Sequence, residues 1–175
     1  HVLSDFCLDG HPEIFVVSNI IENGRHVGAY GGSKRYHSDL SYLDEPSMGS
    51  LFYCLECPSG SGQTAFASLA AAYEALPAAT QERLLGLNGV HDYVWNYARV
   101  HTTRPPLTDA QKAQTPPVVH PAVRSHPETG RKSLFISEVF TRTFEDEDEE
   151  ESRALIAELM AFAERPEFVY VHEWT

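Results

Sequence analysis

His37-Ser38-Asp39 places an imidazole and a carboxylate two residues apart. On an extended segment such residues project to the same side, so both could reach one metal ion. A third histidine from a distant strand would complete a 2-His-1-carboxylate facial triad, which leaves one face of an octahedral iron open. Taken alone, the tripeptide reads more simply as a surface turn or a hydrogen-bonded pair, and only its surroundings can raise it above that. Cys54-Leu55-Glu56-Cys57 has CxxC spacing. Zinc needs four ligands, however, and no second CxxC or neighbouring CxxH accompanies it. The pair sits near the end of an expected strand, whereas redox thiols gather at helix starts, so it reads as packing. His11, His26, His91, His101, His120 and His126 match no compact metal spacing. His120 and His126 read as structural residues placed by Pro121 and Pro127.

The elements that must position these residues follow from pattern. Ile14-Phe15-Val16-Val17 predicts a buried strand before a turn at Glu22-Asn23-Gly24. Gly28 to Ser33 reads as a glycine-rich loop, and Tyr36 to Tyr42 as a strand edge. Ser50 to Cys57 predicts a strand, Pro58 to Gln63 a turn, and Thr64-Ala65-Phe66 a second short strand. Leu69 to Leu76 and Ala79 to Leu85 are helical in composition, broken at Pro77 and stopped at Gly86. Tyr93, Trp95 and Tyr97 alternate, which predicts one face of an extended segment. His101 to Pro117 holds four prolines and reads as a long excursion, a common form for a lid or binding loop. Ala122-Val123-Arg124 and Ser133 to Ile136 flank a hairpin turn at His126 to Gly130. Ser152 to Ala163 is an amphipathic helix with Leu155, Leu159 and Phe162 on one face. Phe168 to His172 is a last strand. Alternating strands, turns and one-sided helices predict an α+β chain built on antiparallel sheets. Pattern does not choose between a sandwich, a jelly roll and an open sheet.

Composition narrows the function classes. The 175 residues suffice for one compact domain, and 42% hydrophobic with 22% charged residues is ordinary for a globular chain. A net charge of −12 argues against a nucleic-acid binder, which needs a basic face. Much of the acidity lies in the run Glu145 to Glu151, read as a solvated turn leading into a helix. No stretch is long and apolar enough to span a bilayer and no secretory pattern is present, so no membrane association is expected. Cys7, Cys54 and Cys57 make no disulfide framework, which favours a reducing, cytoplasmic setting. The sequence begins at His1 rather than methionine, consistent with a processed or incomplete N-terminus.

Four ordered blocks carry a resemblance. Tyr36-His37-Ser38-Asp39-Leu40-Ser41-Tyr42 is followed by Gly62-Gln63-Thr64-Ala65-Phe66-Ala67 and then by Ala71-Ala72-Tyr73-Glu74-Ala75-Leu76-Pro77. His120-Pro121-Ala122-Val123-Arg124-Ser125-His126-Pro127-Glu128-Thr129-Gly130-Arg131-Lys132 comes next, with Leu134 to Ser137 and Phe140-Thr141 continuing it. In kind and order these blocks resemble the taurine dioxygenase and 2,4-dichlorophenoxyacetate dioxygenase family over essentially the whole chain.

That resemblance implies a double-stranded β-helix (jelly roll) core with flanking helices. It implies a single domain over residues 1–175, incomplete at the C-terminus and truncated or unresolved at both ends. It further implies an iron(II)- and 2-oxoglutarate-dependent dioxygenase. Such an enzyme hydroxylates a small, anionic organic substrate of sulfonate, sulfate ester or aryloxyalkanoate type, with release of succinate and CO2. His37 and Asp39 would be metal ligands, and Thr64 would contact 2-oxoglutarate. His1 falls where taurine-type enzymes place a substrate-contacting histidine, whereas Ser33 and Lys34 depart from the taurine pattern. The family's third ligand histidine and its 2-oxoglutarate-binding arginine belong to a segment that would follow Trp174 and so lie beyond Thr175. His172 precedes that segment in the pattern. O2 and a small molecule are the implied partners, and homo-oligomers are common among relatives. Two other readings of the pair remain: a zinc hydrolase using the same His-x-Asp, and a jelly-roll binding protein lacking a complete metal site.

Overall fold

The computed structural model describes residues 6–30, 35–101 and 105–174. They fall into two compact units, within residues 1–34 and 35–175.

The first unit is two small hairpins. Strands β1 (Cys7–Leu8) and β2 (His11–Phe15) pair antiparallel. Strands β3 (Ile21–Glu22) and β4 (Arg25–His26) pair around Asn23 and Gly24, at φ 50° and 77°. Two consecutive positive φ values define the mirror-image turn that suits right-twisted strands, and Asn-Gly is its preferred sequence. Gly28 is required for a different reason: a Cβ there would stand 2.6 Å from the carbonyl oxygen of Val16. The backbones close at that point, where the Ala29 N–H donates to Val16 O at 2.8 Å. The expected buried strand at Ile14 to Val17 is corrected. Ile14, Phe15 and Val17 are exposed, because the described residues of this unit form hairpins without a second layer to cover them.

In the second unit a three-stranded antiparallel sheet has β6 (Asn88–His91) at its centre, between β7 (Val118–Pro121) and β10 (Thr141–Phe144). Strands β5 (Thr64–Ala67) and β11 (Val169–His172) form a separate ladder, and β8 (Val123–Ser125) pairs with β9 (Lys132–Leu134) as the expected hairpin. Helices α1 (Leu69–Ala75) and α2 (Ala78–Leu85) are separated at Pro77 as read from sequence. Helix α5 (Glu149–Ala163) starts within the acidic run, where Asp148 accepts from the N–H groups of Glu150 and Glu151. Side-chain acceptors and negative charge both suit a helix start. Its buried face is Ser152, Ile156, Leu159, Met160 and Ala163, so the expected Leu155 and Phe162 lie at the margin of the stripe. This face meets Tyr73, Leu76, Leu84, Leu134, Ile136 and Phe144 in one core.

Three other expectations change. Tyr93, Trp95 and Tyr97 lie on helix α3 (Tyr93–Val100), not on a strand. Asp92 caps it by accepting from Trp95 N–H at 2.9 Å. The long excursion contains helix α4 (Asp109–Gln114), closed by a Thr108/Gln111 capping box. Residues Ser50 to Cys57 form no ladder among the described residues, and Leu51, Tyr53 and Leu55 are almost fully exposed. A strand needs a neighbour for its N–H and C=O groups, and here none is paired with it.

Candidate metal centre

The tripeptide lies in irregular backbone rather than on a strand edge. The His37 Nδ1–H donates to the carbonyl of Arg35 at 2.9 Å. A carbonyl can only accept, so that contact fixes the ring and turns Nε2 the other way. Nε2 lies 3.4 Å from Asp39 Oδ1. The second carboxylate oxygen, Oδ2, accepts from Ser50 Oγ at 3.0 Å. The pairing with Asp39 raises the pKa of His37, against an opposing effect of burial. The same pairing, helped by the Ser50 hydroxyl, lowers that of Asp39.

This arrangement fits a metal. Two donors at right angles with bonds of about 2.1 Å stand about 3.0 Å apart, so the 3.4 Å gap between Nε2 and Oδ1 needs little adjustment. Each residue of the pair also has a partner on its far atom, Arg35 O or Ser50 Oγ, the kind of support that orients side chains able to hold a metal. Among the described residues no group of three His, Cys, Asp or Glu side chains is gathered to hold an ion. His172 does not complete the set: it pairs in register with Thr64 and shares a hydrogen bond with the Tyr170 hydroxyl at 3.1 Å.

The turn after Asp39 is unusual. Leu40 has φ 56°, a left-handed conformation that costs a residue with a Cβ about 1–2 kcal/mol. The Leu43 N–H closes the turn on Leu40 O at 3.0 Å. Ser41 and Tyr42 are buried. The Tyr42 ring packs against Tyr93 and Phe140, at 4.8 and 4.7 Å between centroids, and burial pushes its phenol pKa up. Phe140 also meets His37 edge-on at 5.8 Å.

Thr64 opens β5 opposite His172 of β11. Its hydroxyl accepts from the Trp174 indole N–H at 3.0 Å. A hydroxyl that accepts there keeps its own proton for another acceptor, such as a carboxylate. Residues 50–52 join the two places: Ser50 reaches Asp39, while the Phe52 ring lies 6.3 Å from Trp174 and 6.5 Å from Phe66. His1, Ser33 and Lys34 lie outside the described residues.

Sequence reasoning missed Ser50, the Trp174 contact and the packing beneath the Asp39 turn. Ser50 reads as the start of a strand, and no local pattern links residues 11 or 110 apart. The Cys57 thiol donates to Ser61 O at 3.1 Å, inside the turn that ends at Gly62.

The family described as "Taurine catabolism dioxygenase TauD, TfdA family" matches residues 5–175. The chain belongs to this family. Pentalenolactone F synthase of Streptomyces arenae is 31% identical over 174 residues, covering 94% of this chain and 58% of that relative. The alpha-ketoglutarate-dependent 2,4-dichlorophenoxyacetate dioxygenase of Cupriavidus pinatubonensis is 34% identical over 171 residues, with the same two coverages, 94% and 58%. Among solved structures, a Burkholderia xenovorans chain provisionally assigned as an alpha-ketoglutarate dependent 2,4-D dioxygenase superposes with a TM-score of 0.71. It is 35% identical, and the match covers 81% of this chain and 54% of that one. This member of the TauD/TfdA family thus spans 58% of the length of each of these two curated relatives. No helix among the described residues is long and apolar enough to cross a membrane.

Proposed function

We propose that this chain carries the metal- and co-substrate-binding part of an iron(II)- and 2-oxoglutarate-dependent dioxygenase that hydroxylates a small anionic organic molecule. The observation that carries the reading is the 3.4 Å approach of His37 Nε2 to Asp39 Oδ1, with the far atom of each held by another group. Iron(II) held by these two residues would supply O2 activation coupled to decarboxylation of 2-oxoglutarate to succinate and CO2.

The protein's own share is positional. The Arg35 carbonyl and Ser50 hydroxyl hold the donor atoms in place. Thr64, with its oxygen engaged by Trp174, offers its proton to a 2-oxoglutarate carboxylate. The double-stranded β-helix, as one domain, is the architecture proposed for the whole protein. A cytoplasmic setting goes with this reading, as does an assembly of identical subunits. Names of relatives point to aryloxyalkanoates as one substrate type: the Cupriavidus enzyme acts on 2,4-dichlorophenoxyacetate. Sulfonates and sulfate esters complete the panel to be tried.

The test is succinate release from 2-oxoglutarate by the full-length, iron-loaded protein across that panel. One substrate of these classes should stimulate release well above the substrate-free rate. No 2-oxoglutarate turnover with or without any panel member would defeat the proposal.

A further inference from the structure

Directly beneath the Asp39 turn, the central sheet presents two buried histidines on one face. Gly89 of β6 pairs with His120 of β7, and His91 lies two residues along the same strand. In an antiparallel ladder, paired residues and those two apart share a side. His91 is 1% exposed and His120 8%. Their rings meet edge to face at 5.4 Å, and Phe135 lies 5.4 Å from each. Gly89 leaves the space they need: a Cβ there would stand 3.1 Å from Thr141 Cγ2 and 3.4 Å from His91 Nε2.

Each ring spends one nitrogen on the turn above it. His91 Nδ1 shares a hydrogen bond with Ser41 Oγ at 3.2 Å. His120 Nε2–H donates to Leu43 O at 2.9 Å. These contacts are 50 and 77 residues away in sequence, and they bracket Tyr42 on either side. The turn they hold contains the left-handed Leu40 directly after Asp39. A strained turn persists only when its surroundings over-determine it. Besides the Ser41 hydroxyl, the backbone of Phe135 faces the His91 ring.

We infer that His91 and His120 are positioning residues that clamp the turn 40–43 and thereby set the carboxylate of Asp39 for metal binding. The inference rests on the metal site proposed above. It assigns the pair a role in ion affinity distinct from core packing. It also depends on which nitrogen is used. Asparagine reproduces the Nδ1 position of histidine and glutamine the Nε2 position. His91→Asn and His120→Gln therefore keep the respective contacts, whereas the swapped variants His91→Gln and His120→Asn lose them at similar size and polarity.

The experiment is Mn(II) titration of the full-length protein, following loss of the aqueous Mn(II) electron paramagnetic resonance signal. Far-UV circular dichroism melts of every variant are recorded alongside. Outer supports of metal ligands change affinity about 10- to 100-fold when removed, so His91→Gln and His120→Asn should each weaken Mn(II) binding about tenfold at temperatures where they are folded. His91→Asn and His120→Gln should bind within about twofold of the parent. Equal affinity in all four folded variants would overturn the inference, as would equal loss in matched and swapped forms. His37→Ala and Asp39→Ala serve as the reference. If these bind Mn(II) as tightly as the parent, the metal site fails and the clamp fails with it. If they abolish binding while the swapped variants bind as tightly as the parent, the clamp alone fails.

Discussion

Acidification should destabilise this protein through His91 in particular. Burial, reinforced by the neighbouring His120, pushes its pKa from the ordinary 6.5 down to about 4. The Phe135 backbone opposes this shift, and the charge of Arg124 adds to it. In the unfolded chain the imidazole takes up a proton near pH 6.5, whereas in the folded chain it resists until about pH 4. Between those values the unfolded state binds more protons, so stability falls as the pH drops. The full contribution is present above pH 6.5 and is lost by about pH 4. A gap of about 2.5 units at about 1.4 kcal/mol each gives about 3 kcal/mol, of which about 2 is gone by pH 5. Against a typical total of about 5–15 kcal/mol this is a large fraction. Urea unfolding of the full-length protein at pH 7, 6 and 5 reads the loss, and His91→Asn supplies the reference because asparagine does not titrate. His37 and Asp39 titrate in both proteins, so their effects cancel in the difference. The variant should lose about 2 kcal/mol less than the parent between pH 7 and 5. Parallel losses in the two proteins would refute the reasoning.

Ile156 is fully buried at the centre of the core, so Ile156→Ala should cost about 2–5 kcal/mol in urea unfolding. Asp148→Ala removes the acceptor for two N–H groups at the start of α5 and should cost about 1 kcal/mol by the same assay. Trp174→Phe removes the donor to Thr64 Oγ1. It should weaken 2-oxoglutarate binding up to about tenfold, the worth of one hydrogen bond, while Mn(II) affinity in the absence of 2-oxoglutarate stays unchanged; calorimetric titration separates the two.

How much of this was readable from sequence depended on the range of the interactions. Helices α1, α2 and α5 and the β8–β9 hairpin were legible because periodicity, Pro77, Gly130 and the acidic run act within a few residues. Tyr93, Trp95 and Tyr97 misled because a short apolar alternation does not exclude a helix. Asp92, the capping residue immediately before them, was the available signal. Ser50 to Cys57 has the composition of a strand but forms no ladder among the described residues, since pairing requires a partner that composition does not reveal. At the site, His37-x-Asp39 was visible as a pair of residue types, and the ordered blocks gave it meaning. Ser50, His91 and His120 were not visible as its supports. Their contacts span 11, 50 and 77 residues, and only the folded sheet brings them under one turn.

The most direct measurement of the central claim is an anaerobic titration of the full-length protein with iron(II) and 2-oxoglutarate, followed by visible absorption. Chelation of 2-oxoglutarate to iron(II) held by His37 and Asp39 predicts a metal-to-ligand charge-transfer band that is absent in His37→Ala and Asp39→Ala. A protein that shows no such band, or a band that survives both substitutions, would contradict the account.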